Sequence, residues 1–494
     1  MHLIYKRREG IDMKKRFVKL SGFHPWLGSI SINSVSLIFL LLAAVTLNGC
    51  LVGGRYTPQS EANPIDTSYA YPHSEKKDTL ELVKWFDLYK DEALNKLIKT
   101  ALDSNRNLMI AASRVEQARE RAGVVKSNLW PSIGYNGTAG TGKVGTDAQA
   151  IGAALDGNNF QMYGALSWEL DLFGRVRHAN KSAQAIFMSE IENRNGIQVA
   201  LIGQTAELYF ILRDLDNRLA IAERTLVSRK ENTRLITERF NKGYVPELDK
   251  LQAEQQEATV EANIPEIKRQ IIETENALRV IIGQNPGPIV RGLENNAQDL
   301  GPEIPAGIPS ELLLRRPDIR SAEKIVEAQF NNIGVAKANM FPTISLTGIL
   351  GFASPSLSTI ISDNGFMAAG AGSIFGPIFE FSKNRSRKRE QEYRLIEVTK
   401  GYEQTVLQAF ADVDNSLYGY RSYNEQLEIL NRQVAAATKA LELTNARYDY
   451  GYTSYLEVII QEDNLYSAEL QRSFVLQKKL TSVVNLYRSL GGGW

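Results

Sequence analysis

The sequence predicts an α+β protein that is mostly α-helical and consists of two similar halves. Residues 115–133 (VEQARERAGVVKSNLWPSI) return as residues 326–344 (VEAQFNNIGVAKANMFPTI), 211 positions later. Residues 236–248 return as residues 444–456, 208 positions later. The repeats of solenoid proteins span roughly 20–50 residues, so each half here is a much larger unit. Long stretches without proline and short stretches of alternating polarity further predict very long helices and a few strands.

The composition limits the classes of function. The 494 residues contain 57 Lys and Arg and 56 Asp and Glu, which gives a formal net charge of +1. This balance argues against a protein that binds nucleic acid through bulk positive charge. The chain holds a single cysteine, so it cannot form an intrachain disulfide.

Residues 1–49 have the features of a signal peptide. A basic stretch precedes a nearly apolar run at 35–47, which is shorter than the roughly 20 residues of a membrane-spanning helix. Small residues before the lone Cys50 resemble a bacterial lipoprotein cleavage box. We therefore predict that Cys50 is lipidated and that residues 50–77 form an extended tether. Met13 is an alternative start, and a buried cysteine behind an uncleaved anchor is the competing interpretation.

The positions of the prolines predict the helices. The stretches between Pro131 and Pro246 and after Pro377 contain no proline and are rich in good helix formers. Pro265 lies inside a helical pattern and should kink or break that helix. We predict helices at about 104–129, 173–242, 247–284, 318–340, 380–449 and 454–490, after a helical pattern that begins near residue 80. The first repeat covers 78–307 and the second covers 308–494.

Two segments alternate between apolar and polar residues, as half-buried strands do. These are residues 160–170 and 343–352, and we expect strands at 134–144 and 366–376 to pair with them. Segments of about ten alternating residues suit transmembrane strands, although an ordinary soluble hairpin is the alternative. Four strands cannot close a barrel, and lipid forbids open sheet edges. The membrane interpretation therefore requires strands from several chains.

No pattern indicates an enzyme, a cofactor or a metal site. His73 and His178 lack the neighbours of a metal-binding or catalytic motif. Residues 137–143 match the GxxxxGK of a phosphate-binding loop, but Val144 follows instead of Ser or Thr. The segment after it also has the character of a strand, where the motif requires a helix.

Several motifs, spread over nearly the whole mature chain, resemble the TolC-like outer-membrane factors, especially their OprM-like efflux lipoprotein branch. They are LLLRRPDIRSAE (312–323), GVAKANMFPTISLTG (334–348), WELDLFGRVR (168–177), NIPEIKRQIIETENALRVIIGQNPG (263–287), RYDYGY (447–452), AFADVDNSL (409–417) and LGGGW (490–494). The resemblance implies a homotrimer with a twelve-stranded transmembrane β-barrel that continues as a long periplasmic α-helical barrel. It also implies an outer-membrane exit duct of a tripartite efflux system. Its partners would be a periplasmic adaptor protein, an inner-membrane pump of the resistance-nodulation-division type, and outer-membrane lipid.

The resemblance assigns a role to the turns between the long helices, which would contact the adaptor at the periplasmic end of the tube. The residues concerned are Gly243, Tyr244, Val245, Gly451, Tyr452, Thr453 and Ser454. The alternative is that Gly243 and Gly451 only give the backbone freedom that a helix end requires. Ser454 is also a candidate N-cap of the helix that follows it.

The same resemblance predicts where the pore closes. The candidates for the aperture or gate are Tyr448, Glu457, Glu462, Asp463 and Asp249. Tyr448 aligns with the family's gate tyrosine. Ile460 stands where the family often has Asp, so Glu462 or Asp463 is the expected source of negative charge. A solvated helix face is the alternative for each carboxylate, and we expect the second hairpin to move while the first forms the fixed wall.

Two other functions are compatible with this sequence. One is an exit duct for secreted polypeptides, and the other is a non-conducting structural envelope lipoprotein with long coiled coils. The basic run at 383–389 (KNRSRKR) departs from the Gly-rich turn that the family often has there. It could face lipid or the tube interior, or simply begin a solvated helix.

Overall fold

Three runs of helices alternate with two pairs of strands along the described part of this chain. The computed structural model describes residues 52–59, 85–142, 157–298 and 315–492, so the predicted signal peptide and Cys50 lie outside the described residues. The elements are α1 (Trp85–Leu88), α2 (Glu92–Ser104), α3 (Arg106–Ser127), β1 (Ser132–Gly142), β2 (Gly157–Leu170), α4 (Arg175–Asn241), α5 (Glu247–Ile281), α6 (Pro317–Ala338), β3 (Thr343–Ser354), β4 (Phe366–Phe375), α7 (Lys383–Asp449) and α8 (Tyr455–Ser489).

Equivalent helices of the two halves have equal lengths. The helices α3 and α6 have 22 residues each, α4 and α7 have 67 each, and α5 and α8 have 35 each. At about 1.5 Å per residue, α4 and α7 are each about 100 Å long. No helix in the described ranges combines the length and the apolar character that a bilayer span requires.

The expected break at Pro265 does not occur, because α5 runs unbroken from Glu247 to Ile281. Proline has no N–H for the backbone ladder, which costs roughly 3 kcal/mol inside a helix. The residues beside it, Ile264 and Ile267, are buried in one apolar cluster with Leu215 of α4. Burial of two such side chains offsets a penalty of this size. Packing against α4 therefore overrides the local preference.

The start of the predicted tether is packed onto the helices. The N–H of Val52 donates to the carbonyl oxygen of Phe173 at 3.4 Å, and the hydroxyl of Tyr56 donates to Glu323 at 3.0 Å. Gly53 lies against the ring of His178, which is fully buried at the start of α4. Residues 52–59 are thus held in place by α4 and α6.

Gly334 of α6 brings the backbone of that helix onto the His178 ring. A Cβ at this position would lie 2.5 Å from the ring, which is closer than any real contact. The ring has little freedom to move, because its Nδ1 is 3.0 Å from Oδ1 of Asn331. Gly334 therefore sets the distance between α4 and α6.

We predict that Gly334→Ala lowers the free energy of unfolding by about 1–3 kcal/mol, since an added methyl group overpacks this contact. A lower thermal unfolding midpoint of the purified protein, followed by circular dichroism, would report the loss. Gly401→Ala on α7 is the matched control, because no described atom lies within 4 Å of its added Cβ. It should be neutral or stabilising by up to about 1 kcal/mol. Equal midpoints for the two variants would contradict this account.

The four strands form one antiparallel sheet with the order β1-β2-β3-β4. The pairings of β1 with β2 and of β3 with β4 confirm the two predicted hairpins, and β2 with β3 joins the halves. Residues directly opposite each other lie on the same face, so the register defines two faces. One face is mainly apolar and carries Ile133, Tyr135, Met162, Leu166, Trp168, Ile344, Leu346, Leu350, Phe352 and Ile374, with Thr141 and Asn158 at one end. The other is mixed and carries Ser132, Asn136, Thr138, Asn159, Gln161, Ser167, Glu169, Thr343, Ser345, Thr347 and Ser373 beside Tyr163, Ile349, Met367 and Phe375.

Candidate functional site

The two turns that join the long helices have the same backbone geometry. The C-terminal ends of α4 and α7 are closed by Gly243 and Gly451, with φ angles of 77° and 76°. The N–H of Tyr244 donates to the carbonyl oxygen of Arg239 at 2.9 Å, and that of Tyr452 to Arg447 at 2.8 Å. This is the Schellman arrangement, in which a residue with positive φ satisfies the last carbonyl groups of a helix.

Both turns present aromatic side chains to solvent. Tyr244, Tyr450 and Tyr452 are among the exposed large hydrophobic residues. A cavity of about 450 Å³ beside the second turn is lined by residues of α7, the turn and α8: Ala440, Leu443, Thr444, Ala446, Arg447, Tyr450, Tyr452 and Gln461. Val245 differs, because it packs against an apolar cluster inside the hairpins. Ser454 stands at the N-cap of α8, but its side chain makes no capping hydrogen bond.

Tyr448 lies between the long helices and not on their outer surface. Its ring packs against Tyr455 with centroids 5.6 Å apart, and the guanidinium of Arg239 lies 5.0 Å from its centroid. Arg239 also approaches Asp449 at 3.7 Å. The buried hydroxyl of Tyr448 has no hydrogen-bond partner among the described residues. The ring thus joins the two hairpins, since Arg239 belongs to α4 and Tyr455 to α8.

A buried arginine joins α4 to α8 farther along the same hairpins. The side chain of Arg229 is 2% exposed, and it donates to Asp463 at 2.6 Å and also to Gln256 of α5. Glu462 lies 3.9 Å from the same guanidinium and accepts a hydrogen bond from Asn232 at 2.5 Å. Three helices therefore meet in one charged cluster, which we call the Arg229 cluster.

Burial perturbs the carboxyl groups near this level. It raises the pKa of Glu462 above its ordinary value, and the nearby Arg229 and Asn232 oppose the rise. Burial also raises the pKa of Asp249 in the first turn of α5. In the folded protein, Glu462 therefore takes up a proton more readily than it would in the unfolded chain.

The gate candidates occupy different faces of α8. Glu462 faces α4 and is buried between the helices, whereas Glu457 and Ile460 are exposed on another side. Asp463 has a side chain that is 47% exposed, although one oxygen binds Arg229. Of the predicted carboxylates Glu462 and Asp463, only Asp463 has a side chain that is partly exposed to solvent. The sequence reasoning missed Arg229, because its two acidic partners, Glu462 and Asp463, are more than 200 residues away along the chain.

The described residues contain no group of His, Cys, Asp and Glu side chains that could hold a metal ion. Known proteins resemble this chain in sequence and in fold. The sequence model of the outer membrane efflux protein family matches this chain twice, over residues 97–284 and 308–492. The chain belongs to this family.

The relatives of this outer membrane efflux protein cover it almost completely. It is 31% identical to the probable efflux pump outer membrane protein TtgC of Pseudomonas putida, over 93% of this chain and 96% of TtgC. It is 28% identical to the outer membrane protein OprJ of Pseudomonas aeruginosa, over 92% of this chain and 95% of OprJ. The solved structure of the outer-membrane channel OprN has 29% identity and a TM-score of 0.82, and the match covers 90% of this chain and 100% of that one.

Proposed function

We propose that this outer membrane efflux protein is one third of a trimeric exit duct, which passively conducts substrates out of a tripartite efflux system. The observation that carries the proposal is the sheet, which has one mainly apolar face and, within the described residues, two unpaired edges at β1 and β4. Lipid tolerates no open sheet edge, and bacterial barrels have at least eight strands. Three copies would supply twelve strands and close the barrel.

The exposed turns support the proposed partners. A periplasmic adaptor would contact the exposed tyrosines of the two turns, and an inner-membrane pump of the resistance-nodulation-division type would supply the energy. Relatives of nearly equal identity are named for toluene, antibiotic and cation efflux. The choice of substrate would therefore belong to the pump, since similar ducts serve chemically different cargoes. Efflux is favoured over polypeptide secretion because the relatives' names specify efflux.

The internal repeat supplies the geometry of the proposed contact between copies. Ser132 pairs with Ser167 at the helix end of the first hairpin, and Thr343 pairs with Phe375 at the same place in the second. These pairs make β1 equivalent to β3 and β2 equivalent to β4. In a closed ring, β4 of one copy should therefore pair with β1 of the next as β2 pairs with β3.

This equivalence predicts individual residue contacts. Ala165 of β2 pairs with Ile349 of β3, and the corresponding residues at the two edges are Ser373 of β4 and Thr138 of β1. We expect cysteines at Ser373 and Thr138 to form a disulfide between copies in isolated outer membranes, because opposed strand residues have suitable Cα spacing. The combination of Thr138→Cys with Ala369→Cys is the control, since it is four residues out of register, about 13 Å.

The readout is the size of the oxidised product on a denaturing gel, together with single-channel recording of the reduced protein in planar bilayers. The in-register pair should give a covalent trimer, and the protein should conduct. Equal crosslinking by the two pairs would refute the register. Absence of conductance, also in variants of Tyr448, would favour the structural lipoprotein without a pore.

A further inference from the structure

The start of α7 differs from the equivalent start of α4 in its charge. Gly174 and Ser382 precede the two helices with the same left-handed conformation, at φ of 82° and 68°. This correspondence, a shift of 208 residues, aligns 168–181 with 376–389. The first segment contains two acidic and three basic residues besides a histidine, whereas the second contains one acidic and five basic residues. The second half has gained positive charge and lost negative charge at one place.

In the first half, the chain neutralises its own arginines. Arg175 donates to Glu169 at 2.8 and 2.6 Å, and Arg177 donates to Asp171 at 3.2 Å. Both carboxylates belong to the segment between the strand and the helix. The shift of 208 residues puts Pro377 in place of Glu169 and Phe379 in place of Asp171.

The second half leaves three guanidinium groups without these anions. Arg385, Arg387 and Arg389 are exposed and form no ion pair with the described residues, whereas Lys383 and Lys388 pair with Glu380 and Glu392. Arg385 and Arg389 are four residues apart, so they lie on one side of the helix. Like charges at this spacing repel each other, and an external anion would relieve the repulsion.

Exposed apolar side chains adjoin these arginines. Ile378, Phe379 and Phe381, between β4 and α7, are fully or largely exposed, as is Phe375 at the end of the strand. The rings of Phe379 and Phe381 contact each other with centroids 4.4 Å apart. Aromatic residues concentrate where a membrane protein passes from lipid to water. The arginines would then lie at headgroup level, if the sheet crosses the bilayer as proposed above.

We propose that Arg385 and Arg389, which share one side of α7, bind with the aromatic segment before them the headgroup of an anionic phospholipid in the leaflet nearer the helices. A guanidinium group donates two parallel hydrogen bonds to a phosphate, while Phe379 and Phe381 contact the acyl chains. Arg177 and Lys181 are the equivalents of Arg385 and Arg389 in the first half. Both residues keep exposed surface although helices pack on both sides of α4. A neighbouring copy that packs beside α7 in the same way would therefore leave Arg385 and Arg389 exposed.

The test counts lipids on the purified oligomer in non-ionic detergent by native mass spectrometry. Phosphatidylglycerol and phosphatidylcholine with identical acyl chains are titrated separately. Because each basic residue near a membrane surface strengthens anionic lipid binding several-fold, we expect at least a tenfold preference for phosphatidylglycerol. The double variant Arg385→Gln, Arg389→Gln should bind both lipids equally within twofold.

The control removes the same charge from the same helix, about 50–65 Å away at 1.5 Å per residue. Arg421→Gln, Arg432→Gln should keep the full preference. An unchanged preference in the first double variant would overturn the proposal, and so would equal binding of both lipids by the original protein. Displacement by a low millimolar concentration of inorganic phosphate would indicate a site for the free anion instead. Bilayer conductance is measured for the original protein and for all variants. If the proposed duct is wrong, the original protein does not conduct. If only the proposed lipid site is wrong, the original protein conducts.

Discussion

Replacing Arg229 with Met should lower the free energy of unfolding by about 3–5 kcal/mol, because it leaves the buried carboxylate of Glu462 without its cation. Glu462 is 8% exposed and approaches no other basic side chain in the described structure as closely as Arg229. Asp463 and Gln256 would lose their contacts with the guanidinium as well. The thermal unfolding midpoint measures the loss, and bilayer recording should show longer openings if the cluster holds α8 onto α4.

The exposed bridge of Arg224 to Glu469 provides the control. It joins the same two helices at 2.6 Å, but the arginine side chain is 64% exposed. Exposed ion pairs contribute about 0–1 kcal/mol, so Arg224→Met should change the midpoint little. If the two variants were equally stable, burial of Arg229 would not be the source of the effect.

The pH dependence gives a second, independent readout. Burial raises the pKa of Glu462 above the ordinary 4.5, so the folded state binds this proton more tightly than the unfolded state does. The contribution of this group to stability therefore falls as pH rises from about 4.5 through its folded pKa. Without Arg229 the rise in pKa should be larger, since the cation opposes it. Lowering the pH from 7 to 5 should then restore part of the stability of Arg229→Met, but not that of Arg224→Met.

The sequence was sufficient for the helices and strands because their signals are local. The absence of proline, good helix formers and alternating polarity predicted α4, α7 and the two strand hairpins to within a few residues. Pro265 failed as a breaker because burial on α4, which is not visible locally, outweighs its cost. The same limit applies to Arg229. Its sequence neighbours do not indicate that it is buried, because the burial results from the packing of α8 beside α4.

The repeat explains why the candidate site was only partly predictable. The turns at Gly243 and Gly451 recur in both halves, so their shared sequence indicated their geometry. The candidate gate residues differ between the two halves. Their surroundings depend on contacts between the halves, which the sequence does not reveal. Glu462 was expected to polarise an aperture, yet its side chain is buried between α8 and α4. It lies on the side of α8 that Val458 and Ile459 also bury.

Replacing Asp91 with Ala should cost about 3–5 kcal/mol, since one buried carboxylate joins four parts of the chain. Its Oδ1 accepts the N–H groups of Ala93 and Leu94 at the start of α2, at 2.9 and 3.1 Å. Its Oδ2 accepts from the Tyr209 hydroxyl at 2.9 Å, from the N–H of Leu293 at 3.0 Å and from a side-chain amide at 2.8 Å. Loss of a helix cap costs about 1 kcal/mol, and each donor left buried without an acceptor costs about 1–3 kcal/mol.

Hydrogen exchange would localise the effect of Asp91→Ala. The amides of α2 and of residues 289–298 should lose protection, while those of the hairpin turns near Gly243 and Gly451 should not. Asp103→Ala on the exposed side of α2 should change neither region. Loss of protection at the turns as well would mean that Asp91 supports all of the long helices. Confinement to α2 and 289–298 would mean that this part of the chain can open while α4, which carries the Arg229 cluster, stays folded.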